Sequence, residues 1–335
     1  MGVGTERKDD RMTSLMRILA GTVALAMAIG TAPGWAQDYP SRPVTIVVGY
    51  TPGATSDLLA RTVAERLNAA WGQSVIVDNR SGVGGNIAAA YVARAPADGY
   101  TLMVGTDAIM TSNVFLYKNT PFDPVKDFAP ITNAGANIIC LAVHVDLPVR
   151  TVAELIAHAR ANPGMLQYGS SGTGSPHHLA GELLRQKTGI DVVHVPYRGG
   201  GATINDLIGG HIRVAFLSLS TAVPHLSSGK IRIVGVVERT RYAGMPDVPT
   251  IGETVPGFEM SSWLGFFAPA ATPAPLVARL NEAMVKVLTA EAVKDKLATL
   301  GLVVAPSTPD ELAAIIKDGL AVRGQLVKAA NIQAE

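Results

Sequence analysis

Two histidines stand together at His177 and His178, with Glu182 four residues after the second, just beyond the run Gly169-Ser-Ser-Gly-Thr-Gly-Ser175. These residue types suit three chemistries. A metal site would need more ligands: only His178 and Glu182 share a helix face and no matching cluster stands elsewhere, so no metal is expected. A hydrolase would pair Ser170 or Ser171 with His177, but the run lacks the G-x-S-x-G elbow, and the chain is not expected to be an enzyme. A nucleotide cradle fails as well. Neither Gly-rich loop ends in Gly-Lys-Ser/Thr, and Gly82-Val-Gly-Gly-Asn-Ile87 has Ile where the third dinucleotide-binding glycine belongs, so no cofactor is expected. His177 is then a cleft-wall residue. Arg198 either meets an anion or is solvated.

Five loops share a different chemistry. Residues 51–56, 105–107, 170–175, 197–201 and 217–221 are rich in Gly, Ser and Thr. Glycine lets main chain approach a ligand, and hydroxyls donate to carboxylates directly or through water. Each such loop alone could be a turn or a cap. Five at equivalent positions favour a donor-rich cleft.

The elements that must hold these loops follow from hydrophobic patterning. From Val44 onward short β-branched runs alternate with helical spacing, the signature of βαβ units and a parallel sheet. Strands are expected at 44–48, 75–77 and 100–104, then again at 166–168, 192–195, 212–216 and 231–237. In such sheets ligands bind beyond the carboxyl ends of the strands, where helix N-termini face the ligand. Thr151 is read as the cap of a helix ending near 161, and Pro176 as the first turn of another. A returning strand at 261–267 and helices near 275–289, 291–299 and 309–329 contain too little strand for a third domain. They are expected to pack on the first one. Cys140 lies in Asn137-Ile-Ile-Cys-Leu-Ala-Val143, read as a single buried strand with an inert thiol.

The chain has 335 residues, 48% hydrophobic, 16% charged and 5% aromatic, with net charge +1 and one cysteine. A disulfide scaffold and a disordered chain are both excluded, and no basic excess suggests nucleic acid. The apolar run 18–29 follows Arg7, Lys8, Arg11 and Arg17 and precedes Gly34 and Ala36. That is the layout of a secretory signal, with cleavage expected after Ala36 and export to the periplasm. Removing residues 1–36 takes the chain from 28 basic and 27 acidic residues to 24 of each.

Several ordered motifs then carry a resemblance. They include Tyr39-Pro-Ser-Arg-Pro-Val44, Pro52-Gly with Asp57, Ala97-Asp-Gly-Tyr-Thr-Leu102, Tyr168-Gly-Ser-Ser-Gly, His177-His-Leu-Ala-Gly-Glu182, His194-Val-Pro-Tyr-Arg-Gly199, Pro246-Asp-Val-Pro-Thr250 and Ser262-Trp-Leu-Gly. Across the mature chain the sequence resembles the tripartite tricarboxylate transporter solute-binding (Bug-type) family. The resemblance implies an α/β type 2 periplasmic-binding-protein fold, with two α/β domains joined by a two-segment hinge near 134–139 and 255–261. The expected division is a signal peptide at 1–36, domain 1 at 37–137 plus 260–335, and domain 2 at 138–259. A monomer that binds a small organic acid and works with cognate membrane permease subunits is implied, a dicarboxylate or aromatic acid being expected. A ligand sensor for a signalling receptor, or a Ser/His hydrolase, is the alternative.

By position, the resemblance implies a first ligand-binding set of Tyr50, Thr51, Gly53, Ala54, Thr55 and Asp57, with Thr106 and Asp107 beside it. The second set is Ser170, Ser171, Gly172, Thr173, His177 and Tyr197. Asp57 either caps its helix or touches the ligand. The family often carries a second glycine where this chain has Ala54, and an Asp-Asn pair where it has Leu217 and Ser218. A charged cleft residue has become apolar, which points to a less cationic ligand.

Overall fold

The computed structural model describes residues 39–258, 260 and 262–330. The expected export signal lies outside the described residues. Among the described residues eleven strands form two sheets: β1 (Val44–Val48), β2 (Val75–Asn79), β3 (Thr101–Thr106), β4 (Phe128–Asn137), β5 (Ile139–His144), β6 (Leu166–Ser170), β7 (Val192–Pro196), β8 (Val214–Ser218), β9 (Ile231–Val236), β10 (Trp263–Pro269) and β11 (Leu302–Val304). The first sheet runs β2-β1-β3-β10-β4-β11 and the second β7-β6-β8-β5-β9.

Neither sheet is purely parallel, contrary to the sequence expectation. β1 is parallel to β2 and β3, yet β10 runs antiparallel between β3 and β4, and β11 antiparallel to β4. In the second sheet β6 is parallel to β7 and β8, while β5 is antiparallel to β8 and β9. The reason is connectivity. A strand that returns from a distant segment need not enter through a right-handed crossover, so its direction is set by where the chain re-enters.

The run read as one strand over 137–143 is divided at Ile138. Asn137 ends β4 in the first sheet and Ile139 begins β5 in the second. At the division Ile138 donates its N–H to Gly301 O and accepts from Leu219 N, at 3.0 and 2.9 Å. Its backbone is satisfied without belonging to either ladder. β4 itself was not anticipated, because Pro130 and the small residues Ala134, Gly135 and Ala136 weaken a strand pattern. Gly135 has φ +146°, and a side chain there would strike the Val303 carbonyl, so glycine is what lets β11 pair at this point.

Helices cover the sheets. Thr55–Trp71 and Ala274–Thr289 pack together near β2 and β4, and Pro309–Ala330 lies across β4 and the π-helical turn Ala108–Ser112. The last three helices thus pack on the first sheet. Its core centres on Val47, Met103, Ile109, Phe267, Leu312 and Ile316, with Phe122, Phe128 and Phe267 in edge-to-face contact. The second sheet buries Leu141, Phe216, Leu179 and Val234 on one face and Cys140, Ala215, Leu207 and Ile204 on the other. Burial pushes the Cys140 thiol up, as an inert core cysteine requires. No helix among the described residues is long and apolar enough to cross a membrane.

Beside the Ile138 division, Glu238 Oε1 accepts the Ile139 N–H at 3.0 Å while Oε2 is buried without a partner. Burial pushes this carboxyl up to about 7, against the backbone N–H groups that oppose the shift. A raised carboxyl favours the folded state at low pH and loses that advantage as pH climbs from the ordinary 4.5 through about 7. Urea midpoints should therefore fall over that window in the wild type. In Glu238→Gln the decline should be shallower, and an identical pH profile would contradict the assignment.

Candidate functional site

The carboxyl ends of β1, β3, β4, β6 and β8 and the start of β10 converge on a cavity of about 70 Å³. One wall is built by Tyr50, Thr51, Ala54, Thr55, Ser56, Thr106, Asp107, Ser262 and Leu264, the other by Ser171, Pro176, His177, Gly199, Gly200, Ser218 and Thr221, with Asn137 among the lining residues. The walls touch where Thr55 Oγ1 lies 2.5 Å from Ser220 Oγ.

Of the helices that begin at this cavity, two of eight or more residues have no side-chain cap. Ala54 precedes Thr55–Trp71 with extended φ/ψ, and Gly199 precedes Gly200–Ile208 at φ +128°. Other helices are capped: away from the cavity Thr151 accepts from Glu154 N, and at the second wall Ser175 accepts from His178 N beside Pro176. Uncapped first-turn N–H groups carry partial positive charge and receive anions well. Gly200 also lacks room for a side chain, since a Cβ would lie 3.0 Å from Thr221 Oγ1.

The first loop is held from behind. Asp57 accepts from Gly53 N at 2.9 Å and from Arg61 Nε at 3.0 Å, and Asn79 Nδ2 donates to Tyr50 O at 3.0 Å. Burial alone would raise the Asp57 pKa, but Arg61, Gly53 and Asn79 outweigh it and hold it below the usual carboxylate value. Asp57 is therefore committed to the loop and its helix. The Tyr50 hydroxyl lies 3.3 Å from both Thr106 Oγ1 and Gly84 O, and burial drives its pKa up.

Among the described residues Asp107 is the one carboxylate lining the cavity, and it too is occupied. Its Oδ1 accepts from Ser262 Oγ at 3.0 Å and its Oδ2 from Arg323 Nη2 at 3.1 Å, both partners buried. Burial raises its pKa, opposed by Arg323 and Ser262. Among the described residues the lining holds no arginine or lysine, so an anion here would be held by neutral donors and helix ends.

On the second wall Ser171 Oγ lies 2.6 Å from His177 Nδ1, and His177 Nε2 lies 3.2 Å from Ser218 Oγ, which accepts from Asn137 Nδ2 at 3.0 Å. Burial lowers His177 to about 4. This Ser-His pair resembles a nucleophile and base, but a ring so weakly basic abstracts a proton poorly, and its second nitrogen meets a serine instead of an orienting carboxylate. Behind the wall Ser170 Oγ bonds His194 Nε2 at 2.7 Å, His194 stacks on His178 at 3.7 Å, and His178 Nδ1 accepts from Gly174 N. Burial holds His178 at about 4 and His194 at about 3. Among the described residues no group of three His, Cys, Asp or Glu side chains is arranged to hold a metal.

Of the residues singled out in the sequence, Tyr50, Thr51, Ala54, Thr55, Thr106, Asp107, Ser171, His177 and Ser218 line the cavity. Gly53, Asp57, Ser170, Gly172, Thr173, Tyr197 and Leu217 stand outside its lining. Ser170 and Asp57 support the loops, Tyr197 donates to Asp206 Oδ2 at 2.7 Å, and Leu217 is wholly buried in the second sheet. Gly199, Gly200 and Thr221 lie in loops the sequence marked but were not singled out. Asn137 was hidden in an apolar run, and Ser262 carried no signal beyond its place beside Trp263.

The family model described as "Tripartite tricarboxylate transporter family receptor" matches residues 59–332. The chain is 38% identical to R. palustris Rpa4515, solved with adipate, over 88% of this chain and 99% of that one, at a TM-score of 0.86. The periplasmic binding protein BugD is 30% identical over 89% and 100% of the two chains, with a TM-score of 0.83. MatC from Rhodopseudomonas palustris, with bound malate, is 30% identical over 86% and 100%, with a TM-score of 0.79.

Proposed function

The chain belongs to the tripartite tricarboxylate transporter receptor family, and from that premise we propose that it is a periplasmic receptor that captures a small dicarboxylate or aromatic acid and delivers it to a membrane transporter. The family's relatives are solute-binding proteins, two of them solved with adipate and malate. The observation that carries the reading for this chain is the pair of uncapped helix N-termini, at Ala54 and Gly199, that open on one cavity from opposite walls. Each offers backbone N–H groups to a carboxylate without placing a cation there.

Capture would occur by closure of two domains, 37–137 plus 260–335 against 138–259, about the chain crossings near 134–139 and 255–261. The Thr55–Ser220 hydrogen bond supports this reading, since it joins a helix of the first sheet to a residue following the last β8 position of the second. Leu217 lies outside the cavity lining, and Asp107, which does line it, is already engaged by Arg323 and Ser262, which supports an acid without a cationic group.

The test is a thermal-shift screen of the purified protein against mono- and dicarboxylates. A ligand at a hundred times its Kd adds about 2.7 kcal/mol to stability. For a chain of this size that is a rise in Tm of roughly 4 °C. X-ray scattering should show a smaller radius of gyration with the same acid. No stabilisation by any carboxylate, or tighter binding of amino acids than of the matching acids, would refute the proposal.

A further inference from the structure

A groove of about 720 Å³ opens beside the helix Asn86–Ala93 and shares no lining residue with the cleft. Val83, Ile87 and Tyr91 stand along it at four-residue steps, each of them exposed. Arg80 and Arg94 line it too, and among the described residues no carboxylate does. In a chain of 28 basic and 27 acidic residues that imbalance is local.

Both guanidinium groups have donors to give. Arg80 lies 3.6 Å over the Tyr91 ring and commits its Nε to Asp78 Oδ2 at 2.7 Å, which leaves its two Nη groups without an acceptor among the described residues. Arg94 is exposed and makes no side-chain hydrogen bond or ion pair among them. A planar fork steadied by stacking and by one carboxylate is pre-organised to receive another.

The backbone under the groove is strained at an exposed side chain. Val83 has φ +48°, a left-handed geometry costly to a β-branched residue, between Gly82 and Gly84. Glycine would meet that geometry at less cost, and a valine that stays 51% exposed recovers little by burial. An apolar side chain held outward at a conformational cost has its reason in a surface that covers it. The same loop backs the cleft. Gly84 O accepts from Asn113 Nδ2 at 3.1 Å and from the hydroxyl of Tyr50, a cavity residue, at 3.3 Å.

The lining narrows what the cover is. A second copy in a two-fold contact would set arginines against arginines, since such a contact presents one patch twice. A bilayer takes up side chains that protrude, whereas these line a groove. We propose that the groove docks a carboxylate-bearing apolar segment of the membrane transporter, its apolar side chain covering Val83 and Ile87 and its Asp or Glu meeting Arg80 and Arg94. A partner seated there bears on the loop that holds Tyr50 and so reaches the ligand site from behind. The inference rests on the receptor reading and names the surface through which the acid is handed over.

Uptake and crosslinking test it. Cells of the producing bacterium, deleted for this chain and supplied with wild type, Arg94→Glu or Ile87→Ser, are given the radiolabelled acid identified by the thermal-shift screen. At limiting acid, uptake should fall about tenfold in Arg94→Glu and severalfold in Ile87→Ser. Calorimetric affinity of each purified variant for the same acid should stay within about twofold of wild type, since neither residue touches the cleft. A photo-crosslinking residue at position 87 should join the chain to an integral membrane subunit of the transporter, through a peptide that contains Asp or Glu. The same residue in place of the exposed Met165 should not. Undiminished uptake in both variants, adducts only between copies of the chain, or Arg94-dependent flotation with protein-free phosphatidylglycerol vesicles overturns this inference and leaves the receptor reading intact. No uptake with the wild type overturns both.

Discussion

Replacing Arg323 with alanine should lower the free energy of unfolding by about 3–5 kcal/mol, the largest single effect expected in this protein. The pair it breaks is buried on both sides, with side-chain exposures of 8% for Arg323 and 2% for Asp107. Losing the arginine leaves the Asp107 carboxylate in a low-dielectric site with Ser262 as its remaining side-chain partner. Burial already raises the Asp107 pKa, and Arg323 is the leading opposing influence. Its removal must raise that pKa further.

The pH dependence follows in sign. A carboxyl whose folded pKa lies above its unfolded value gains stability as pH falls, because the folded state binds the proton more tightly. The deficit of Arg323→Ala should accordingly shrink on acidification from pH 7 to pH 5, whereas a simple packing loss would not change. Adding Asp107→Asn to Arg323→Met should recover most of the loss, since a buried pair replaced as a unit costs little. Urea unfolding of the four proteins checks this. An Arg323→Ala variant within 1 kcal/mol of wild type would show that the pair contributes nothing net.

Ala54→Asp should move stability and binding in opposite directions. Ala54 has the extended geometry of a helix cap, φ −68° and ψ 156°, but no side chain to use it. An aspartate there can accept from the first-turn N–H groups and should add about 1 kcal/mol to the stability of the ligand-free protein. The same carboxylate would occupy the donors assigned to the ligand and repel an anion, so carboxylate affinity should fall at least about a hundredfold, or 2.7 kcal/mol. Few substitutions stabilise a fold while abolishing its binding. A variant that gains stability and keeps its affinity would move the anion away from this helix.

Much of this molecule was readable in its residues, and the failures have physical causes. Helical periodicity located Thr55–Trp71, Val152–Ala161, Pro176–Thr188 and the three final helices to within a few positions, because each buries one amphipathic face. β4 was missed because its position between two neighbours comes from tertiary pairing, not from its own proline- and glycine-bearing sequence. The division at Ile138 was invisible because the chain stays apolar on both sides and changes hydrogen-bonding partners without a turn residue. In the site, loop composition pointed to the right wall segments. It could not say which hydroxyls face inward: Ser170 and Ser171 are adjacent, yet one supports the loop from behind and the other lines the cavity.

The same division has a consequence for how the chain comes into being. The second sheet draws all five strands from one stretch, Ile139 through Val236, whereas the first needs β10 and β11 to flank β4, with the last strand ending at Val304. During synthesis from the N-terminus, one sheet has all its strands with nearly a hundred residues still to come, while the other waits as an incomplete ladder. β3 then finds its final neighbour, β10, across more than 150 residues, a closure that is slow by its sequence separation. A chain arranged in this way can complete its second sheet before its first, whose ladder closes only once Val304 has been made.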